Sequence, residues 1–161
     1  MMGEFLAALE APALAEALRR SVWAYPLVNT AHILGVALLV GAIVPLDLRL
    51  LGAWRSVPLY AIWRVLTRTA AAGLVLASVF GALLFITRAT EYAASNLFVS
   101  KMVIVGAGAA NALLLHIVLP NKRVRSAAAT GKLPGRVQLA SGLSLALWLT
   151  ALTLGRLVGY F

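Results

Sequence analysis

The sequence predicts an all-α membrane protein, a four-transmembrane-helix antiparallel bundle with a short N-terminal interfacial helix. Three observations lead there. Sixty-two per cent of the 161 residues are hydrophobic and 12 % charged, with a mean hydropathy of +0.94, a balance typical of integral membrane proteins. Apolar runs of about 20 residues, each about 30 Å long as a helix and so matched to a bilayer core, recur four times. The cations gather between those runs instead of forming a basic domain. That distribution sets orientation in a membrane, and it removes nucleic acid from the partners that a formal charge of +9 would otherwise suggest. The absence of cysteine excludes disulfides, thiolate metal sites, iron–sulfur ligation and covalent haem attachment. The length suits one membrane domain spanning residues 1–161.

Residues 3–22 form the interfacial segment. Phe5, Leu6, Leu9, Leu14 and Leu18 share one side, Glu4, Glu10, Glu16, Arg19 and Arg20 lie elsewhere, and Pro12 interrupts it. Glutamates stand where a signal peptide would be basic, so retention of this segment is expected. Trp23 and Tyr25 mark the headgroup level. The first span runs over 26–46, opened by Pro26 and closed by Pro45 and the Asp47-Leu48-Arg49 step. A basic connection covers 50–58, and 59–69, with Arg64 and Arg68, reads as an interfacial lead-in. The second span covers 70–87, where Gly73, Ala77 and Gly81 make a smooth ridge suited to close helix contact. Arg88 and Glu91 end it, and Ser95 or Asn96 can cap the third span, 97–119. The loop over 120–136 carries Lys122, Arg123, Arg125, Lys132 and Arg136, and the fourth span covers 137–160. Both basic connections lie on one side. The positive-inside rule makes that side cytoplasmic and places both termini outside.

Ionisable groups inside a membrane are rare and costly, so each is a candidate site. His32 lies about 9 Å along the helix from Pro26, with Asn29 and Gly35 on its face. Gly35 leaves a recess one turn below the imidazole, which either a flat macrocycle or a closely packed helix would fill. Lys101 enters the third span near the same level. Arg88 ends the second span and Arg156 the fourth, on the same outer side. A haem with its propionates pointing outward would use Lys101, Arg88 and Arg156 as counter-charges and His32 as the iron's axial ligand. The alternative is a histidine hydrogen-bonded to a neighbouring helix, with the cations as snorkelling anchors. His116 lies about 20 Å deeper than His32, too far to share an iron with it. No glycine-rich phosphate loop, HExxH pattern or nucleophile elbow is present. Asp47 falls at a span edge and the other four carboxylates fall outside the spans, which leaves no buried carboxylate relay.

Ser21-Val22-Trp23-Ala24-Tyr25-Pro26, Ala31-His32-Ile33-Leu34-Gly35, Asp47-Leu48-Arg49-Leu50-Leu51-Gly52 and the Lys101 to His116 segment resemble a bacterial family of small four-span membrane proteins of unknown function. More distantly, His32-Ile33 and Lys101 resemble the HemJ-type protoporphyrinogen oxidases and the CopD-type membrane domains. This second resemblance implies b-type haem bound through His32 with Lys101 close by. Pro45-Leu46-Asp47-Leu48-Arg49 matches the oxidases' Leu-Pro-Arg only loosely, and Asn111 stands where they have a histidine.

The expected function is therefore a haem b-binding protein of the bacterial inner membrane, in electron transfer or redox chemistry. Lys101 is also a candidate second ligand. Besides the bilayer, a second copy of the chain or a redox partner would be its associates. The alternative is a non-enzymatic bundle in assembly or partner binding, with His32 as a structural polar residue. Transport, with Met102 and the histidines as the candidate ligands, ranks last.

Overall fold

The computed structural model describes residues 2–118 and 133–160. The chain is all helical: α1 (Met2–Glu10), α2 (Ala13–Arg20), α3 (Ala24–Leu51), α4 (Leu59–Phe85), α5 (Ala89–Ala94), α6 (Asn96–Val118) and α7 (Gly135–Leu157). No strand occurs among the described residues. α3, α4, α6 and α7 are each long and apolar enough to cross a membrane. Lys122, Arg123, Arg125 and Lys132 lie outside the described residues, as does the end of the expected third span at residue 119.

Three boundaries differ from expectation. α3 does not stop at Pro45 but runs on to Leu51. A membrane helix tolerates an internal proline because surrounding groups satisfy the carbonyl it frees. The stop is Gly52, whose left-handed backbone (φ 113°) lets the Gly52 and Ala53 N–H groups close onto the carbonyls of Arg49 and Leu48. α4 starts at Leu59, directly after Pro58, so 59–69 is part of the spanning helix. No proline or glycine interrupts it before Gly73. The third difference is α5, a short helix inserted between the second and third spans. Ser95 then accepts a hydrogen bond from the Phe98 N–H at the start of α6 (3.4 Å).

The N-terminal segment divides at Pro12 into α1 and α2. Its docking is polar as well as apolar. Arg19 donates to the carbonyls of Thr87 (3.1 Å) and Glu10 (3.0 Å), and Glu10 Oε1 accepts from the Thr90 N–H (2.7 Å) and hydroxyl (2.6 Å). Phe5, Leu14, Val22 and Trp23 remain exposed, while Leu18 of the same segment is buried.

α3 is the centre of the bundle, packing most extensively on α4 and then on α7, while α6 leans mainly on α7. The Gly73/Ala77/Gly81 ridge meets α3 itself. A Cβ on Gly73 would lie 2.5 Å from the Leu39 nitrogen, and one on Gly35 would lie 3.0 Å from the Gly73 carbonyl oxygen. Backbone thus rests on backbone. Two apolar layers close the interior. Leu46, Leu50, Leu59, Trp63, Leu115 and Val137 bring all four spans together at the end with the basic connections, called here the basic end. Leu39, Ile43 and Trp148 form the second layer, nearer mid-bundle.

Candidate cofactor site

His32 lies about 12 Å inside α3 from its first residue, half-buried and turned toward α4. Its Nδ1 donates to the Ala77 carbonyl across the helix pair (2.8 Å). The partner is a carbonyl oxygen, so Nδ1 must carry the hydrogen, and in the neutral ring Nε2 holds the free lone pair. Gly81 makes the bond sterically possible, since a Cβ there would stand 3.1 Å from both Cε1 and Nδ1 of the imidazole. α3 and α4 are pinned one turn further on by Gly35 and Gly73, so the ring sits on a rigid seat.

Of the two occupants that the sequence allows for the recess at Gly35, the structure holds the helix. The α4 backbone at Gly73 and Ala77 fills it, and Gly35 is therefore a packing residue and no wall of a slot. Asn29, half-buried, is one turn from His32 toward the end that carries the termini.

Lys101 is half-buried in α6. Its stem passes Gly155 of α7, where a Cβ would stand 3.8 Å from Cε, and its Nζ lies 5.6 Å from the Phe98 ring centre. Arg88 and Arg156 are engaged locally and exposed. Arg88 pairs with Glu91 (3.2 Å), while Arg156 donates to the Tyr160 hydroxyl and lies over that ring (4.7 Å). Among the described residues, no hydrogen bond or ion pair ties either arginine to His32 or Lys101. His32 and Lys101 are half-buried, whereas both guanidiniums are exposed.

Several participants carry no motif. The Ala77 carbonyl is a backbone group on another helix, invisible to side-chain spacing. An aromatic stack also borders the site: Phe85 lies against Phe98 (5.5 Å between ring centres) and Tyr92 against Phe98 (5.1 Å). Burial pushes the Tyr92 phenol above its usual range, and neighbouring Tyr25 adds to the shift.

His116 occupies the basic end, exposed, with its ring stacked on Trp63 (5.7 Å, 12°), remote from His32 as expected. Asp47 requires a correction. Far from marking a boundary, it is 2 % exposed, because α3 continues past it and α7 covers it.

Donor chemistry decides what the site could hold. Among the described residues, no three His, Asp or Glu side chains converge to hold a bare metal ion. A haem asks less of the protein, because the macrocycle brings the equatorial donors and one oriented imidazole suffices axially. A ligating histidine normally donates its second ring N–H to a carbonyl or carboxylate, as His32 does to Ala77. The residues therefore fit an axial haem ligand in kind, with the macrocycle excluded from the closed α3–α4 seam. No protein-family model, curated protein or solved structure matches this chain.

Proposed function

We propose that this membrane protein binds haem b, with His32 Nε2 as an axial ligand, and serves in electron transfer or redox chemistry in a bacterial inner membrane with both termini outside. The observation that carries the reading is the Nδ1–Ala77 hydrogen bond, which fixes one ring tautomer and leaves Nε2 as the free donor. Bound haem would supply one-electron exchange. The chain's own part is to orient the imidazole through the Ala77 carbonyl, with Lys101 of α6 as a propionate counter-charge or second ligand. Arg88 and Arg156 would serve as further counter-charges for propionates directed outward.

Protein purified in detergent from haem-replete cells should show a Soret band that shifts on dithionite reduction. His32→Ala should remove it, and added imidazole should restore it by entering the vacated space. A colourless wild-type preparation would overturn the proposal.

A second reading rests on the same bond taken with Gly81. In that reading His32 is a polar latch between α3 and α4, and the bundle acts in assembly or partner binding. It predicts a colourless protein whose His32→Ala variant is less stable. The Gly73/Ala77/Gly81 ridge is covered by α3, so a second copy or partner would have to use another surface.

A further inference from the structure

Asp47 has no part in the histidine site, from which it is separated by about 22 Å along α3. Its side chain is buried beside Ser144 of α7, itself buried. Two apolar layers flank it: Ile43, one turn before it on α3, belongs to the layer with Leu39 and Trp148, and Leu50, about one turn after it, to the layer with Trp63 and Val137. Oδ2 is enclosed and has no hydrogen-bond partner among the described residues.

Among the described residues, the cations of the basic end are directed elsewhere or exposed. On α3 itself, Arg49 donates to the carbonyls of Val57 (3.1 Å) and Arg55 (3.3 Å). Arg64 of α4 and Arg136 of α7 are exposed, Tyr60 of α4 is half-buried and packs against the layer with Trp63 and Val137, and His116 of α6 is exposed with its ring stacked on Trp63. Among the described residues no salt bridge reaches Asp47. An ionised carboxylate enclosed in a membrane bundle without a counter-ion is among the costliest arrangements a protein can hold. A bound cation would remove that cost, but a hard cation needs about six or more oxygens. Among the described residues, α7 offers the buried hydroxyls of Ser144 and Ser141 on the face toward Asp47, the latter already donating to the Val137 carbonyl (3.0 Å). A proton needs only the carboxylate.

We propose that Asp47, assisted by Ser144, is a proton-binding site that exchanges with water at the basic end of the bundle. In the loaded form Oδ2 carries the hydrogen. Release breaks the Oδ2–H bond, passes the proton to water and leaves a carboxylate that accepts from the Ser144 hydroxyl; uptake is the reverse. The barrier is thin, for Asp47 is one helical turn, about 6 Å, inside the end of α3. This inference stands apart from the haem reading, and either can fail alone.

Infrared spectroscopy of the full chain reconstituted in liposomes tests it. At neutral pH a protonated-carboxyl C=O band is expected, because the glutamates lie at the far end within reach of water. The band should be lost in Asp47→Asn, move to higher frequency in Ser144→Ala, shift in D2O and disappear reversibly in alkali. Asp47→Asn, a mimic of the neutral form, should melt as the wild type does. A spectrum without that band at neutral pH, or a band that survives Asp47→Asn, would overturn the proposal. So would a band that neither D2O nor alkali moves. If Asp47→Asn does not fold, the Ser144→Ala frequency shift and the D2O response decide in its place.

Discussion

Two seams of this bundle, α3 against α4 and α6 against its neighbours, are built differently. Between α3 and α4 the backbones meet directly at Gly35 and Gly73, with no side chain between them that could yield. Along α6 the contacts are rings and polar side chains: Gly108 lies under the Trp148 indole, Asn111 donates to the Ala140 carbonyl (3.0 Å), and Trp63–His116 and Phe85–Phe98 bridge to α4 near the two ends. Backbone contact admits no rotamer change, whereas a ring can turn. The difference teaches where rigidity is placed. His32 and its carbonyl partner belong to the first seam, and Lys101, the group that would meet a ligand from the other side, belongs to the second.

The comparison breaks most visibly at the rigid seam. Gly73→Leu must force α3 and α4 apart, at a cost of about 3 kcal/mol or more. It should abolish the monodisperse peak in size-exclusion chromatography. Gly108→Ala meets only the Trp148 ring, at 3.1 Å, and should cost about 1 kcal/mol. It should lower the detergent melting temperature by a few degrees while leaving the His32–Ala77 pair intact. Equal damage from the two substitutions would erase the distinction.

The smallest expected effect lies outside both seams, where α1 docks on α5. Hydrogen bonds from the Thr90 hydroxyl and N–H, joined by the nearby Arg19 charge, hold the Glu10 carboxyl below its usual 4.5. A carboxyl lowered in the folded state contributes above its ordinary value and loses that contribution as pH falls through the lowered one. The N-terminal segment should therefore become more open to proteolysis only in acid below about pH 4. Glu10→Gln should show the acid level of cleavage at neutral pH, with the four spans unaffected.

The spans, the Pro12 break and the separation of His116 from His32 were legible because each depends on local composition or helical rise. Pro45 marks the wrong end for α3, because its effect in a soluble helix does not carry over to a membrane one. The usable signal was Gly52, the residue that can take the left-handed stop. That error hid Asp47: once the helix runs on, Ile43, Asp47 and Leu50 share the buried face. The His32 partner could not be read at all, since any small-residue stretch on any neighbour exposes a carbonyl. The ridge at Gly73, Ala77 and Gly81 did announce a close contact, but not which helix would make it.

Nitrogen-15 NMR of histidine-labelled protein, read for haem-free and haem-loaded samples, bears most directly on the central claim. Haem-free His32 should be neutral, with Nδ1 protonated and Nε2 bare, and haem should perturb Nε2 while the Nδ1 hydrogen bond persists. An Nε2-protonated ring, or a His32 signal indifferent to haem at saturating concentration, would contradict it.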